Sequence, residues 1–155
     1  MDKNTYFIYK SPFGDIVIMS DGEAVTCIKP LDNVVPTGTK QATALTDLAA
    51  KQLSEYFSKK RKEFDLPLNP KGTDFQRTVW DALQKIPYGE KQTYGFVAQS
   101  IGNPKACRAV GLANNRNPIW IVIPCHRVVG ANGSLVGYGG GLEMKRKLLD
   151  IEEGK

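Results

Sequence analysis

The sequence places Cys125 directly beside His126, the only histidine of the chain. A thiolate is a strong nucleophile once its pKa falls below the ordinary value of about 8.5, and a neighbouring imidazole can assist in its formation. Apolar residues flank the pair at positions 119–123 and 128–129, so we expect a rigidly held, partly shielded thiol. Because a buried cysteine is more often an inert packing residue, spacing alone leaves both interpretations open.

The composition of the 155-residue chain is typical of a folded protein, with 41% hydrophobic residues. Its three cysteines, Cys27, Cys107 and Cys125, contain no Cys-x-x-Cys pair, and no secretory signal opens the sequence. We therefore expect a cytoplasmic protein with free thiols. The longest apolar run is far shorter than the roughly 20 residues of a membrane span, so we expect no insertion into a bilayer.

Metal and cofactor chemistry find little support in the residue pattern. One histidine and three scattered cysteines lack the paired ligand spacing of a zinc site. The glycine-rich segment 137–141 departs from the spacing of dinucleotide-binding loops. We therefore expect no metal and no cofactor. The net charge of +5 fits a nucleic-acid partner, although many proteins of such charge bind none.

Three short segments near the N-terminus, at residues 6–9, 15–19 and 24–28, alternate in the manner of strands and predict an antiparallel meander. Apolar residues recur at helical spacing over residues 45–57, which predicts an amphipathic helix on one face of the sheet. Residues 69–72 are rich in breakers and predict a linker at the end of a small α+β unit.

The pattern changes from strands to helices after this linker. Thr73 and Gln76 match a capping box, which predicts that a helix begins there. Residues 86–89 end that helix. A final helix carries, along one face, Leu142, Lys145, Leu148, Leu149 and Glu152.

Two short helices between these two predict a helix-turn-helix. Thr93 can cap the first through about Ile101, and a turn at residues 102–104 leads into the second over residues 105–114. The second helix has small residues around one long cation, Arg108, which fits either a narrow DNA minor groove or tight packing against its own core. Many helical proteins contain such a corner without binding DNA.

A wing is predicted after the cysteine. Asn132-Gly133 lies between Val128-Val129 and Leu135-Val136, which predicts a hairpin with a two-residue turn.

Taken together, these motifs resemble those of the O6-alkylguanine-DNA alkyltransferases, also called methylated-DNA–protein-cysteine methyltransferases. The resemblance runs almost continuously from residue 75 to residue 152. The matching segments are Phe75-Gln76, Val79-Trp80, Ile86-Pro87, Gly89-Glu90, Thr93-Tyr94, Gly102 to Gly111, Asn117-Pro118, Ile123 to Val129, Gly140 to Leu142, Leu148-Leu149 and Glu152.

The resemblance implies an α+β fold in two domains. Residues 1–70 would form a small ribonuclease H-like α/β domain. Residues 71–155 would form a mostly helical, winged helix-turn-helix alkyltransferase domain.

The resemblance also implies direct-reversal DNA repair. O6-alkylguanine, and with it O4-alkylthymine, would be flipped out of double-stranded DNA, and the alkyl group would pass irreversibly to Cys125 in a single turnover. The protein would act as a monomer, with neither membrane nor metal involved.

By the same resemblance, His126 takes the thiol proton through a water, and Glu152 orients and charges the imidazole. Adjacent residues on a strand point to opposite faces, so the thiol and the imidazole could communicate only across a turn or a bridging water. Pro124 favours such a turn.

The resemblance assigns the DNA contacts as well. Arg108 would fill the space vacated by the flipped base, and Tyr94 would crowd the 3′ phosphate and donate to the base. Thr93 and Ala106 would join them at the DNA.

The pocket for the base would involve Asn117, which braces the active-site turn, and backbone carbonyls of Cys125 and Val128, which accept from the guanine amine. Tyr138 would wall the pocket, and the N–H of Gly139 would lie near O6. Trp120 stands where relatives often carry a smaller residue or proline, so we expect large adducts to be handled poorly.

Three other functions fit part of the pattern. A cysteine hydrolase would need an oxyanion hole that the sequence does not show. A non-catalytic lesion-binding protein of the same superfamily would lack the cysteine. A transcriptional regulator built on the helix-turn-helix would read bases in an operator.

Overall fold

The structure is a computed structural model that describes residues 3–135, 138 and 141–154. The chain divides into two compact units, residues 1–71 and residues 72–155. Within the described part, no helix combines the length and apolar character that crossing a bilayer requires.

The first unit is built on a four-stranded sheet in the order β3-β2-β1-β4. Strands β1 (Thr5–Ser11), β2 (Gly14–Ser20) and β3 (Val25–Pro30) form the predicted antiparallel meander, and β4 (Thr39–Lys40) pairs in parallel with β1. The meander prediction is therefore confirmed, whereas the short β4 was not predicted.

Strand β2 is buried on both faces, from Ile16 to Ser20. Helix α1 (Ala44–Phe57) packs against one side of the sheet, as its apolar periodicity predicts. On β2, Val17 and Met19 pack with Cys27 in a cluster that loop and strand residues complete. Lys59 to Lys62 follow α1, largely exposed, and Arg61 there donates to Glu55 at 3.0 Å.

Among the described residues, the second unit has four α-helices. They are α2 (Asp74–Leu83), α3 (Tyr94–Ser100), α4 (Cys107–Asn115) and α5 (Leu142–Glu153). Its buried core holds Trp80, whose indole N–H donates to the carbonyl of Ala113 at 2.9 Å and so joins α2 to α4. Because α3 and α4 are joined by a short turn, they form the predicted helix-turn-helix pair.

Side-chain caps mark the starts of two helices in this unit, α2 and α3. Thr73 accepts from the N–H of Gln76, and the Gln76 side chain accepts from the N–H of Thr73, so the predicted capping box is confirmed. Thr93 accepts from the N–H of Phe96 and caps α3. Helix α4 begins at Cys107, two residues later than predicted, since Ala106 rather than a polar residue precedes it and makes no side-chain cap.

Only part of the predicted hairpin after the cysteine lies within the described residues, and its strand pairing stays a prediction. Strand β6 (Val128–Val129) pairs in parallel with β5 (Gln92–Thr93). A turn does form there, because the N–H of Gly130 donates to the carbonyl of Ser134, and Gly133 adopts a φ of 82°. Val136 lies outside the described residues.

Replacing Thr73 with alanine removes the side-chain acceptor at the start of α2. We expect the free energy of unfolding of the protein to fall by about 1 kcal/mol, the usual cost of losing such a cap. Urea titration followed by circular dichroism measures it. Thr78→Ala, on the exposed face of the same helix, is the matched control, and an equal loss in both variants would contradict the capping role.

Candidate active site

The segment before Cys125 is a succession of tight turns and not a continuous strand. Ile121 adopts a φ of 74°, and the N–H of Val122 donates to the carbonyl of Trp120 at 2.8 Å. A β-branched residue in this left-handed region is strained, by about 1–3 kcal/mol. The surrounding packing must therefore hold the turn, and Ile121 itself is buried.

A second tight turn follows at Pro124, whose φ of −82° and ψ of 64° match an inverse γ-turn. The N–H of Cys125 donates to the carbonyl of Ile123 at 2.8 Å across it. Cys125 to Arg127 then form one 3-10 turn. The turn expected from Pro124 is therefore present, and the alternation rule for strands does not apply to Cys125 and His126.

Asn117 closes the loop that leads to the nucleophile. Its side-chain N–H donates to the carbonyl of Ile123 at 2.8 Å, and its carbonyl oxygen accepts from the N–H of Ile119 at 2.9 Å. Since Asn117 is fully buried, this amide replaces water at both backbone groups. The side chain thus lies where a brace for the active-site turn would be needed.

The Cys125 thiol is 2% exposed. Burial raises its pKa to about 11, while hydrogen bonds from Asn117 and Tyr138 and the charge of Lys145 lower it. The burial effect is the larger, so the resting group is a neutral thiol. Forming the thiolate therefore requires a base within the site.

His126 is the residue to which the family resemblance assigns that role. It is fully buried, and its Nε2 lies 2.6 Å from Oε2 of Glu152. Burial lowers the pKa of the imidazole, so the ring is neutral and its proton is assigned to Nε2, where it donates to the carboxylate. Nδ1 is then a bare acceptor, and it has no hydrogen-bond partner within the described residues.

Glu152 is bound from two sides. Arg127 donates through Nε to Oε1 at 2.8 Å and through Nη2 to Oε2 at 3.0 Å. Burial alone would raise the pKa of this carboxyl, but the hydrogen bonds and charges of His126 and Arg127 lower it to about 2. Glu152 is therefore ionised at neutral pH.

Lys145 also belongs to the site. The sequence predicted only that it lies on one face of the last helix. It is fully buried on α5, two turns before Glu152. Burial lowers the pKa of its ammonium to about 8, against the opposing effect of Cys125. The signal in the sequence was a lysine among leucines on the apolar face of a helix.

A second unpredicted contact comes from α4. The side-chain N–H of Asn114, which is buried, donates to the carbonyl of Cys125 at 3.4 Å. The same carbonyl accepts from the N–H of Val128. The helix that carries Arg108 thus reaches the backbone of the nucleophile.

The residues assigned to DNA lie around α3 and α4. Tyr94 is the first residue of α3, and its pKa is raised by burial and by the nearby Cys125. Its ring also lies close to Gly111, where an added Cβ would stand 3.9 Å from it. Arg108 is exposed on the first turn of α4 and Ala106 precedes that helix, whereas Thr93 caps α3.

Trp120 and Tyr138 form an aromatic pair near the cysteine. Their ring centroids are 5.2 Å apart with an interplanar angle of 50°, a favourable tilted arrangement. The indole N–H of Trp120 donates to the carbonyl of Asn117 at 2.9 Å. Trp120 therefore packs against the pocket wall expected from Tyr138. Gly139 lies outside the described residues.

Comparison with known proteins gives two family matches. Residues 74–154 match the 6-O-methylguanine DNA methyltransferase DNA-binding domain, and residues 4–70 match the 6-O-methylguanine DNA methyltransferase ribonuclease-like domain. These two matches together span nearly the whole chain.

Individual relatives agree with these matches. The methylated-DNA–protein-cysteine methyltransferase of Methanosarcina acetivorans is 49% identical over 95% of this chain and 97% of its own length. The crystal structure of Mycobacterium tuberculosis OGT in complex with DNA superimposes with a TM-score of 0.91, at 45% identity over 97% of this chain and 93% of that one. The O6-methylguanine DNA methyltransferase from Methanococcus jannaschii gives a TM-score of 0.71 at 26% identity, over 96% and 93% of the two chains.

Replacing Glu152 with glutamine tests the buried network through stability. At pH 7 we expect the free energy of unfolding to fall by about 3–5 kcal/mol, because Arg127 loses the anion that balances it. The folded-state pKa of Glu152 is depressed to about 2, so its contribution exists above its unfolded value of about 4.5 and disappears as the pH falls toward 2.

Urea unfolding at a series of pH values between 7 and 3 measures this difference. Glu143→Gln is the matched control, since Glu143 pairs with Lys147 on the exposed side of the same helix; a change below about 0.5 kcal/mol is expected there. A Glu152→Gln gap that stays constant with pH would contradict the assignment of its charge.

Proposed function

The chain belongs to the O6-alkylguanine-DNA alkyltransferase family, and on that premise we propose that it repairs each lesion by one irreversible transfer to Cys125. Family members are methylated-DNA–protein-cysteine methyltransferases, and this chain repairs DNA by alkyl transfer to a cysteine. One observation supports transfer to Cys125 in particular. The Cys125 thiol is buried and precedes a neutral His126 whose Nδ1 has no partner within the described residues.

The first step is extraction of the damaged base. The nucleophile is 2% exposed, and the O6 substituent is inaccessible within a stacked duplex, so the base must leave the stack to reach the sulfur. Flipping costs a few kcal/mol, and less when the pairing of the base is already weakened. O6-alkylguanine, and also O4-alkylthymine, meet that condition.

Arg108 and Tyr94 assist this step from α4 and α3. Arg108 is exposed on the first turn of α4, and its long planar cation suits the space left in the stack. Tyr94 begins α3 close to Cys125, where its hydroxyl can donate to the departing base and its ring can crowd the adjacent phosphate. Thr93 and Ala106 flank them at the DNA.

The second step is proton transfer. The S–H bond of Cys125 breaks, and the proton passes to Nδ1 of His126, directly or through a water. The resulting imidazolium is stabilised by Glu152, 2.6 Å from Nε2. The buried ammonium of Lys145 favours the thiolate, because its charge lowers the pKa of the thiol.

The third step is alkyl transfer. The thiolate attacks the alkyl carbon, the bond from that carbon to O6 breaks, and the guanine leaves with the bonding electrons and takes up one proton. A thioether remains on Cys125. Since a neutral thioether is a poor alkyl donor, the thiol is not regenerated and the protein is consumed after one reaction.

The base pocket is formed by the turn around the nucleophile. The guanine amine donates to the backbone carbonyls of Cys125 and Val128, while Asn117 braces the turn. Tyr138 walls the pocket, and Trp120 narrows the space for large adducts. The N–H of Gly139, to which the resemblance assigns a place near O6, belongs to a residue outside the described part of the chain.

The proposal extends to a monomer that acts on double-stranded DNA in the cytoplasm. Free thiols at Cys27, Cys107 and Cys125 are typical of a reducing compartment.

Intact-protein mass tests the proposal directly. After incubation with excess duplex that contains one O6-methylguanine, we expect the added mass of one methylene group, mapped to Cys125 and saturating at one per protein. Cys125→Ala abolishes the transfer and retains duplex affinity, whereas Cys107→Ala, the exposed thiol on α4, still reacts. Repeated turnover, or methylation of Cys125→Ala, would reject the mechanism.

Arg108→Ala separates base extraction from chemistry. We expect the repair rate on duplex DNA to fall at least about tenfold, equivalent to 1.4 kcal/mol, while the reaction with free O6-benzylguanine changes little. Single-turnover rates with both substrates measure this. Arg116→Ala, which removes an exposed cation just after α4, is the control, and equal losses on both substrates would exclude the role of Arg108 in the stack.

A further inference from the structure

Arg127 is a buried cation to which the proposed mechanism gives no role. It is 6% exposed, and two of its nitrogens donate hydrogen bonds to Glu152. Its Nη1 donates to the carbonyl of Ile86 at 2.7 Å, and its guanidinium lies 5.8 Å from the ring centroid of Tyr88. The guanidinium is therefore fixed in orientation on three sides, as its planar fork allows.

The consequence for the site lies in how Glu152 distributes its charge. A carboxylate within hydrogen-bond distance of an imidazole favours the imidazolium, by about 1–3 pKa units. Here Oε2 is shared between Nε2 of His126 and Nη2 of Arg127, and Oε1 also accepts from Arg127. His126 therefore faces an ion pair and not a lone anion.

Burial of the ring is the largest influence that lowers the pKa of His126, and the charges of Arg127 and Lys145 lower it further. Glu152 opposes them, because its hydrogen bond and its charge favour the imidazolium. Among the described residues, the charged groups that act on His126 are Glu152, Arg127 and Lys145, and the titratable Tyr88 lies close to Glu152 and Arg127.

A charged imidazole could not receive a proton. A neutral ring with its proton on Nε2 has a lone pair on Nδ1, the atom without a hydrogen-bond partner within the described residues. Without Arg127, the full charge of Glu152 would act on this ring and favour its protonation before the thiol could donate.

We propose that Arg127 is a positioning residue that keeps His126 an uncharged base by binding both oxygens of Glu152. The inference rests on the proposed function only in giving His126 the role of base. It distinguishes Arg127 from a simple structural link between α5 and the loop at Ile86, since such a link would not alter the protonation of the imidazole.

Because the chain has one histidine, the imidazole can be followed alone. In full-length protein labelled with ¹⁵N-histidine, NMR reports the tautomer and charge of His126 as a function of pH. We expect the wild-type ring to stay neutral, with its proton on Nε2, down to the acid limit of the folded state. Arg127→Gln, which keeps a donor but loses the charge, should raise the pKa of His126 by about 1–3 units.

Two further variants calibrate this shift. Arg127→Lys keeps the charge but covers only one carboxylate oxygen at a time, so a smaller rise is expected. Arg61→Met is the matched control, because Arg61 forms a comparable pair with Glu55 in the first unit; His126 should titrate there as in the wild type. The alkyl-transfer rate should show the same order, with its acid limb moved to higher pH in Arg127→Gln.

A wild-type imidazole already charged at pH 7, or an unchanged titration in Arg127→Gln, would overturn the inference. If Arg127→Gln does not fold, Arg127→Lys decides the matter, and the absence of any rise there overturns it. The titration needs no DNA. If the wild type takes no methyl group from an O6-methylguanine duplex while the titrations behave as stated, the proposed function fails and the inference about Arg127 stands.

Discussion

The ionised Glu152 is the group on which the second unit depends. A buried carboxylate is tolerated only when hydrogen bonds replace its hydration. Here His126 and Arg127 supply those bonds, and the N–H of Gly89 adds a longer one at 3.3 Å. Because these donors come from the nucleophile's own turn and from the loop before β5, one side chain of α5 fixes both segments around Cys125.

The helices and the meander were predictable because their signals are local. A capping box needs only Thr73 and Gln76, three residues apart, and the cap of α3 needs only Thr93 and the N–H of Phe96. Strand alternation and helical periodicity are likewise short-range patterns. Cys125 and His126 were found for the same reason, since they are neighbours in sequence.

The pairing of β6 and three residues of the site could not be predicted, because they depend on contacts that sequence spacing does not reveal. Strand β6 pairs with β5, which is far away in the chain, so the local Asn-Gly signal predicted the turn after β6 but not this pairing. Lys145 and Arg127 belong to the site because they are buried. Their burial could not be predicted, since lysine and arginine are most often exposed. Asn114 contacts the nucleophile only because α4 packs beside the turn.

The two ends of helix α4 have different surroundings, since one is exposed and the other contacts the turn of the nucleophile. Arg108 is exposed near its start, and Asn114, six residues and about 9 Å further along the axis, donates to the carbonyl of Cys125. If Arg108 contacts DNA as proposed, this one short helix would connect that contact with the peptide group of the reacting residue. The proposed DNA contact and the backbone of Cys125 are thus joined through a single element of nine residues.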